Sequence, residues 1–286
     1  MNGIFWLASY PKSGNTWMRV FLTNYWRDSD IPADINELER TPIASAREIF
    51  EDQTGVCTSE LSLDEIDGLR PAVYRRVAQQ TQEPLFCKIH DAYTRLPGGT
   101  PMFPPDAARG AVYIIRNPLD VAVSYANHNN CSVAHSVEMM CDDSHVLCGN
   151  TRSQPNQLRQ RLLSWSSHVR SWVETPEMPV HVTRYEDMKD DPEKAFTEVV
   201  RFIGGEMDRR RICKAIEFAS FENLKNQEQE HGFREKMALS PTFFRKGVVG
   251  SWRESLTDEQ KALIVTQHRD VMRNFGYLTE YDELVY

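Results

Sequence analysis

Apolar residues recur along the chain in two rhythms. Four short runs, Ile4-Phe-Trp-Leu7, Leu85-Phe-Cys-Lys-Ile89, Ala111-Val-Tyr-Ile-Ile115 and Val180-His-Val182, have the length and flanking turn residues of buried strands. Between them, apolar positions repeat every three or four residues, as on one face of a helix. Trp17, Val20, Phe21 and Tyr25 form the first such set, and Ile66, Leu69, Val73, Tyr74 and Val77 the second. Leu158, Leu162, Trp165, Val169 and Trp172 form a third, and Phe196, Val199, Val200 and Ile203 a fourth. Two helices announce their starts by capping boxes, Ser62 with Glu65 and Thr257 with Gln260. The pattern predicts a short helix over 44–51, one continuous helix over 157–174, a strand over 180–185 and a last helix ending near Phe275. Residues 129–156 are polar, lack sustained periodicity and read as a partly mobile insertion. Strands alternating with helices predict a single α/β domain over 1–286, with a central, mainly parallel sheet flanked by helices and ligands at the strand carboxyl ends.

Composition narrows the class. The 286 residues are 41% hydrophobic and 10% aromatic, enough for one sizeable core. No basic leader and no long apolar run is present, which points to a cytoplasmic protein outside the membrane. Six cysteines without C-x-x-C spacing or histidine partners suggest free thiols rather than a zinc site or a disulfide frame. A net charge of −8 disfavours nucleic acid and anionic membranes as partners. An anionic ligand therefore needs locally concentrated Lys and Arg, and these occur where strands leave the sheet.

The first strand runs into Tyr10-Pro-Lys-Ser-Gly-Asn-Thr-Trp17. Unpaired N–H groups at the following helix start, the hydroxyls of Ser13 and Thr16 and the charge of Lys12 make a phosphate cradle. An ordinary strand-to-helix turn with Lys12 in water is the competing reading. A nucleoside triphosphatase loop fits poorly, because that motif needs two glycines and a lysine after the second. Here Lys12 precedes a single Gly14, so the loop suits one phosphate. The second strand ends on Lys88 and His90, two apart and hence on one face. The third delivers Arg116, with Ser124 in the helix behind it; an arginine merely paired with Asp120 is the alternative there. Arg209-Arg210-Arg211 reads as a solvated face, and Phe244-Arg245-Lys246-Gly247 as a basic loop ahead of Gly250-Ser-Trp252.

Four segments resemble, in order, those of the 3′-phosphoadenosine 5′-phosphosulfate (PAPS)-dependent sulfotransferases: YPKSGNTW, KIH, IIRNPLDVAVSYANH with YEDM, and RKGVVGSW. The resemblance spans nearly the whole chain and implies a P-loop-kinase-like sulfotransferase fold. By it, Lys12, Ser13, Gly14, Asn15, Thr16 and Trp17 hold the 5′-phosphosulfate, and Arg116 and Ser124 the 3′-phosphate. Tyr185, Phe221 and Trp17 lie at the adenine, and Arg245, Lys246 and Gly247 close over a phosphate. It further implies His90 as general base, with Lys12 and Lys88 stabilising charge and no metal required. Two departures stand out: His90-Asp91-Ala92 replaces His-Leu-Pro, and Ser251 replaces Asp. The first loop and the stretch over 156–172 are similar to those of bacterial natural-product-tailoring enzymes, which implies a small-molecule acceptor. A nucleotide-binding protein without catalysis, or a kinase-like phosphotransferase, remains the other class to test.

Overall fold

The computed structural model describes residues 3–150, 154–174, 177–236 and 242–286. Each apolar run becomes a strand: β1 (Ile4–Ser9), β2 (Leu85–Ile89), β3 (Ala108–Ile115) and, after the two-residue strands β4 (Val146–Leu147) and β5 (Gln160–Arg161), β6 (Val180–Arg184). The central sheet has the order β2-β1-β3-β6. β1 and β2 pair in parallel, Ile4 opposite Leu85 through Ala8 opposite Ile89. All six residues of β1 are buried, as expected for an inner strand covered by helices on an α/β sheet.

The chain divides into two compact units. The first comprises Met1–Tyr10, Arg40–Tyr113 and Asp143–Val182. Its core is aromatic: Trp6 meets Tyr74 and Phe103 edge-on at 5.1 and 5.2 Å, and Phe103 stacks on Trp172 at 5.4 Å. The second comprises Pro11–Glu39, Ile114–Asp142 and Thr183–Tyr286. There Phe21 stacks on Phe196 at 4.2 Å, with Val199, Val200, Ile264 and Met272 buried.

Both capping boxes form as the sequence predicts, opening helices Leu63–Gln80 and Asp258–Asn274. Other boundaries differ for local reasons. The early short helix is Arg47–Thr54. The continuous helix expected over 157–174 is only Trp165–Val173. Gln160 and Arg161 instead pair with β4, Leu163 takes a left-handed φ of 62°, and the Ser164 hydroxyl caps Ser167 N–H. Leu158 still reaches a core, packing with Phe50, Ile66 and Val73, so its helical spacing was coincidental. The region read as an aperiodic insertion contains helix Val133–Cys141, capped by Ser132, with Val137 and Met140 buried; 151–153 fall outside the described residues. Tyr185 opens helix Tyr185–Asp190 instead of ending β6. Arg211 is no solvated cation: it donates to the Tyr25 and Trp26 carbonyls closing the first helix, Asn15–Arg27.

Candidate active site

The turn over 11–17, between β1 and the first helix, lies in the second unit. Lys12 has φ 69° and Gly14 φ 107°, two left-handed positions that fold the chain back on itself before the first helix. A Cβ on Gly14 would meet the Tyr185 ring at 2.8 Å, so this approach requires glycine. Helix Asn15–Arg27 starts without a side-chain cap and with no acidic residue in its first turn, leaving its N-terminal dipole for a ligand. Ser13, Asn15 and Thr16 are buried, and the Ser13 hydroxyl has no hydrogen-bond partner.

Arg116, 8% exposed, ties this loop to the others. It donates to the Lys12 carbonyl at 3.0 Å and to the Val248 carbonyl at 3.2 Å, and lies 4.2 Å from the Tyr185 ring centre. Its Nε has no partner, which leaves a charged donor available in a buried place. The alternative pairing with Asp120 does not occur. Asp120 accepts from Gly250 N–H at 2.7 Å, the Ser251 hydroxyl at 2.9 Å and Trp252 N–H at 3.1 Å. The Ser251 departure is thereby accommodated, since the hydroxyl is one of the donors that pin the basic loop. Gly247, with φ 62°, packs so closely on Phe221 that any Cβ would enter the ring.

The remaining cradle residues are placed with less uniformity. Trp17 meets Tyr185 edge-on at 5.8 Å, and its indole N–H has no partner. The Lys12 ammonium sits 3.8 Å over the Phe243 ring. Ser124 is half-buried in helix Pro118–Asn129, and no contact among the described residues joins it to Arg116. Lys246 turns outward to Glu254 at 3.2 Å. Burial and the neighbouring Arg116 lower the pKa of Arg245, and the same two causes lower that of Lys189. Lys189 was not singled out by the sequence, although it ends the YEDMK run; its ammonium lies 5.6 Å from the Trp17 ring and 6.0 Å from Phe221. Cations that depress one another in a half-buried space favour a bound anion.

Lys88 and His90 lie in the first unit. Lys88 is 8% exposed on β2, its backbone held by Pro42 and Ala44. His90 follows the strand end, and its Nδ1 is 2.8 Å from the Ser9 carbonyl and 3.3 Å from the Ser9 hydroxyl. A carbonyl only accepts, so Nδ1 carries the hydrogen and Nε2 keeps its lone pair. That tautomer is the one a base needs. The neighbouring Asp91 is fully buried, with its carboxylate on Arg70 at 2.8 and 3.1 Å and on Arg161 N–H at 3.2 Å. Burial alone would favour a neutral Arg70, but the Asp91 carboxylate outweighs it and keeps the guanidinium charged.

A family model described as a sulfotransferase domain matches residues 3–276. The chain belongs to the sulfotransferase family. Among its relatives is sulfotransferase 1A1 of Canis lupus familiaris, 25% identical over 282 residues that cover 94% of this chain and 83% of the relative. Flavonol 3-sulfotransferase of Flaveria bidentis is 29% identical over 276 residues, 90% of this chain and 78% of that one. Among solved structures, mouse sulfotransferase SULT7A1 complexed with PAP aligns with a TM-score of 0.60 at 21% identity, over 95% of this chain and 85% of its own. Retinol dehydratase in complex with androsterone and inactive cofactor PAP aligns at 0.59 and 20% identity, over 99% and 82%. These likenesses confirm the fold class expected for the sulfotransferase.

Proposed function

We propose that this sulfotransferase moves the sulfuryl group of PAPS to a hydroxyl or amine of a small, natural-product-like acceptor, with His90 as general base and no metal. PAPS supplies an activated sulfuryl group; the chain supplies position and charge. The carrying observation is Arg116, buried, bonded to the Lys12 and Val248 carbonyls and left with an unpaired Nε. Such a site fits a 3′-phosphate. Ser13, the acid-free first turn of helix Asn15–Arg27 and Lys12 serve the 5′ end, and Lys12 exchanges its Phe243 ring for a phosphate oxygen. Lys88 offsets charge on the sulfuryl oxygens, while His90 takes the acceptor's proton at Nε2. Trp17, Tyr185 and Phe221 frame the adenine. Two similar proteins support a hydroxylated apolar acceptor, since one is a flavonol 3-sulfotransferase and one is a complex with androsterone. All six cysteines are free thiols, consistent with work in the reducing cytoplasm.

Calorimetry tests the nucleotide reading. PAP should bind with micromolar affinity or better, and Arg116→Ala should weaken it by about 1.5–3 kcal/mol, the scale of a hydrogen bond to a charged group. Adenosine 5′-phosphosulfate, which lacks the 3′-phosphate, should lose almost nothing. Equal losses would make Arg116 a structural residue. The base reading is tested separately: His90→Ala should keep PAP affinity and lower turnover on an aliphatic alcohol by about 10²-fold or more. Near-normal turnover by a folded His90→Ala enzyme would remove it from the mechanism.

A further inference from the structure

A second histidine stands behind His90. His168, in helix Trp165–Val173, is fully buried, with Nε2 3.0 Å from the His90 carbonyl oxygen and Nδ1 2.8 Å from the Tyr113 hydroxyl. Because the His90 carbonyl can only accept, Nε2 of His168 carries the hydrogen, and Nδ1 accepts the Tyr113 proton. Tyr113 is set up for that direction, since its oxygen also receives a backbone hydrogen bond from Tyr10. Burial lowers the pKa of His168 to about 4, so the ring stays neutral at physiological pH and keeps this one tautomer. One helical turn further on, the Trp172 indole N–H donates to the Asp91 carbonyl at 2.9 Å. The helix thus presents two side-chain donors, four residues apart, to two successive carbonyls just past the end of β2. Those donors continue the hydrogen bonding of the strand where its ladder has stopped.

We propose that His168, oriented by Tyr113, is a positioning residue for the sulfuryl-transfer base: it clamps the main-chain carbonyl of His90 so that a ring tied at Nδ1 to Ser9 keeps Nε2 aimed at the acceptor. The inference rests on the reading of His90 as base. Without the clamp, the His90 backbone is held by fewer bonds and the ring samples orientations in which Nε2 misses the proton. The effect falls on kcat, not on nucleotide binding, because neither His168 nor Tyr113 is among the cradle residues.

A double-mutant cycle reads this directly. His168→Phe removes the donor, and His168→Gln keeps an N–H that can reach the carbonyl. Each is made in the wild-type and His90→Ala backgrounds and assayed with PAPS and an alcohol acceptor, alongside thermal melts and PAP calorimetry. In the wild-type background His168→Phe should lower kcat about 10-fold or more, with PAP affinity unchanged within about twofold, and His168→Gln should restore most of the loss. In the His90→Ala background the same change should cost less than about twofold, because the group it positions is gone. Tyr113→Phe, which removes one oxygen, should give a smaller loss and a mixture of His168 tautomers in long-range ¹H–¹⁵N spectra. It carries the cycle if His168→Phe does not fold. Equal losses in both backgrounds, or full turnover by the single variants, would overturn the positioning role alone. Full turnover by His90→Ala would overturn the base reading and this inference with it.

Discussion

Single residues decide what the cradle can bind. Arg116 was legible in the sequence because it ends an unmistakable buried strand, yet its meaning came from the partners it has and the one its Nε lacks. Lys189 was not legible, since one lysine in a polar helix carries no periodic signal and only the fold brings it near Trp17 and Phe221. Its pKa is lowered by burial and by Arg116, and a bound phosphate would reverse the second cause. PAP should therefore bind with proton uptake at alkaline pH and lose affinity as Lys189 deprotonates. Calorimetry in buffers of different ionisation enthalpy measures that uptake, which Lys189→Met should abolish. Gly247 gives a second test. With φ 62° and Phe221 against it, Gly247→Ala should displace the ring and weaken PAP about 10-fold or more, while a substitution at Gly55, which has open space around it, should not.

At the scale of elements, strands and capped helices were readily legible, because a buried strand needs an unbroken apolar run and a cap needs a hydroxyl three residues ahead of its partner. Legibility failed where two short elements shared one rhythm. Leu158 and Leu162 continue the spacing of Trp165 and Val169, but Leu163 turns left-handed between them and Ser164 starts the helix anew. Ser164, a serine of the kind that caps helices, is the one local signal of that break, and the continuous apolar spacing masks it. The loop over 250–252 shows the reverse, a departure from the family pattern that is nonetheless anchored: three donors converge on the fully buried Asp120. Asp120→Ala strands those donors, so urea unfolding should show a loss of ~2–3 kcal/mol, on the scale of charged hydrogen bonds. PAP affinity should fall with it, because Val248, which holds Arg116, sits two residues before that anchor.

For the molecule as a whole, the buried His168 ties stability to pH. Its folded pKa of about 4 lies below the ordinary value near 6.5, so the unfolded chain binds the extra proton first. The stabilisation is complete above pH 6.5 and is lost as pH falls toward 4, at about 1.4 kcal/mol per pH unit and ~3 kcal/mol in all. Melting temperature should drop across that interval, and His168→Gln should flatten this part of the curve. The same whole-molecule view shows where charge resides: a chain of net −8 gathers Arg116, Lys189 and Arg245 around one place in the second unit. On the proposed chemistry, that gathering has a kinetic consequence. Arg116 and the first helix grip phosphates, and both phosphates are still there once the sulfuryl group has left. Nothing in the grip distinguishes spent nucleotide from fresh. The slow event in each cycle is then departure of the used carrier, visible as a burst of one sulfated product per site before the steady state, with inhibition by added PAP that excess PAPS relieves.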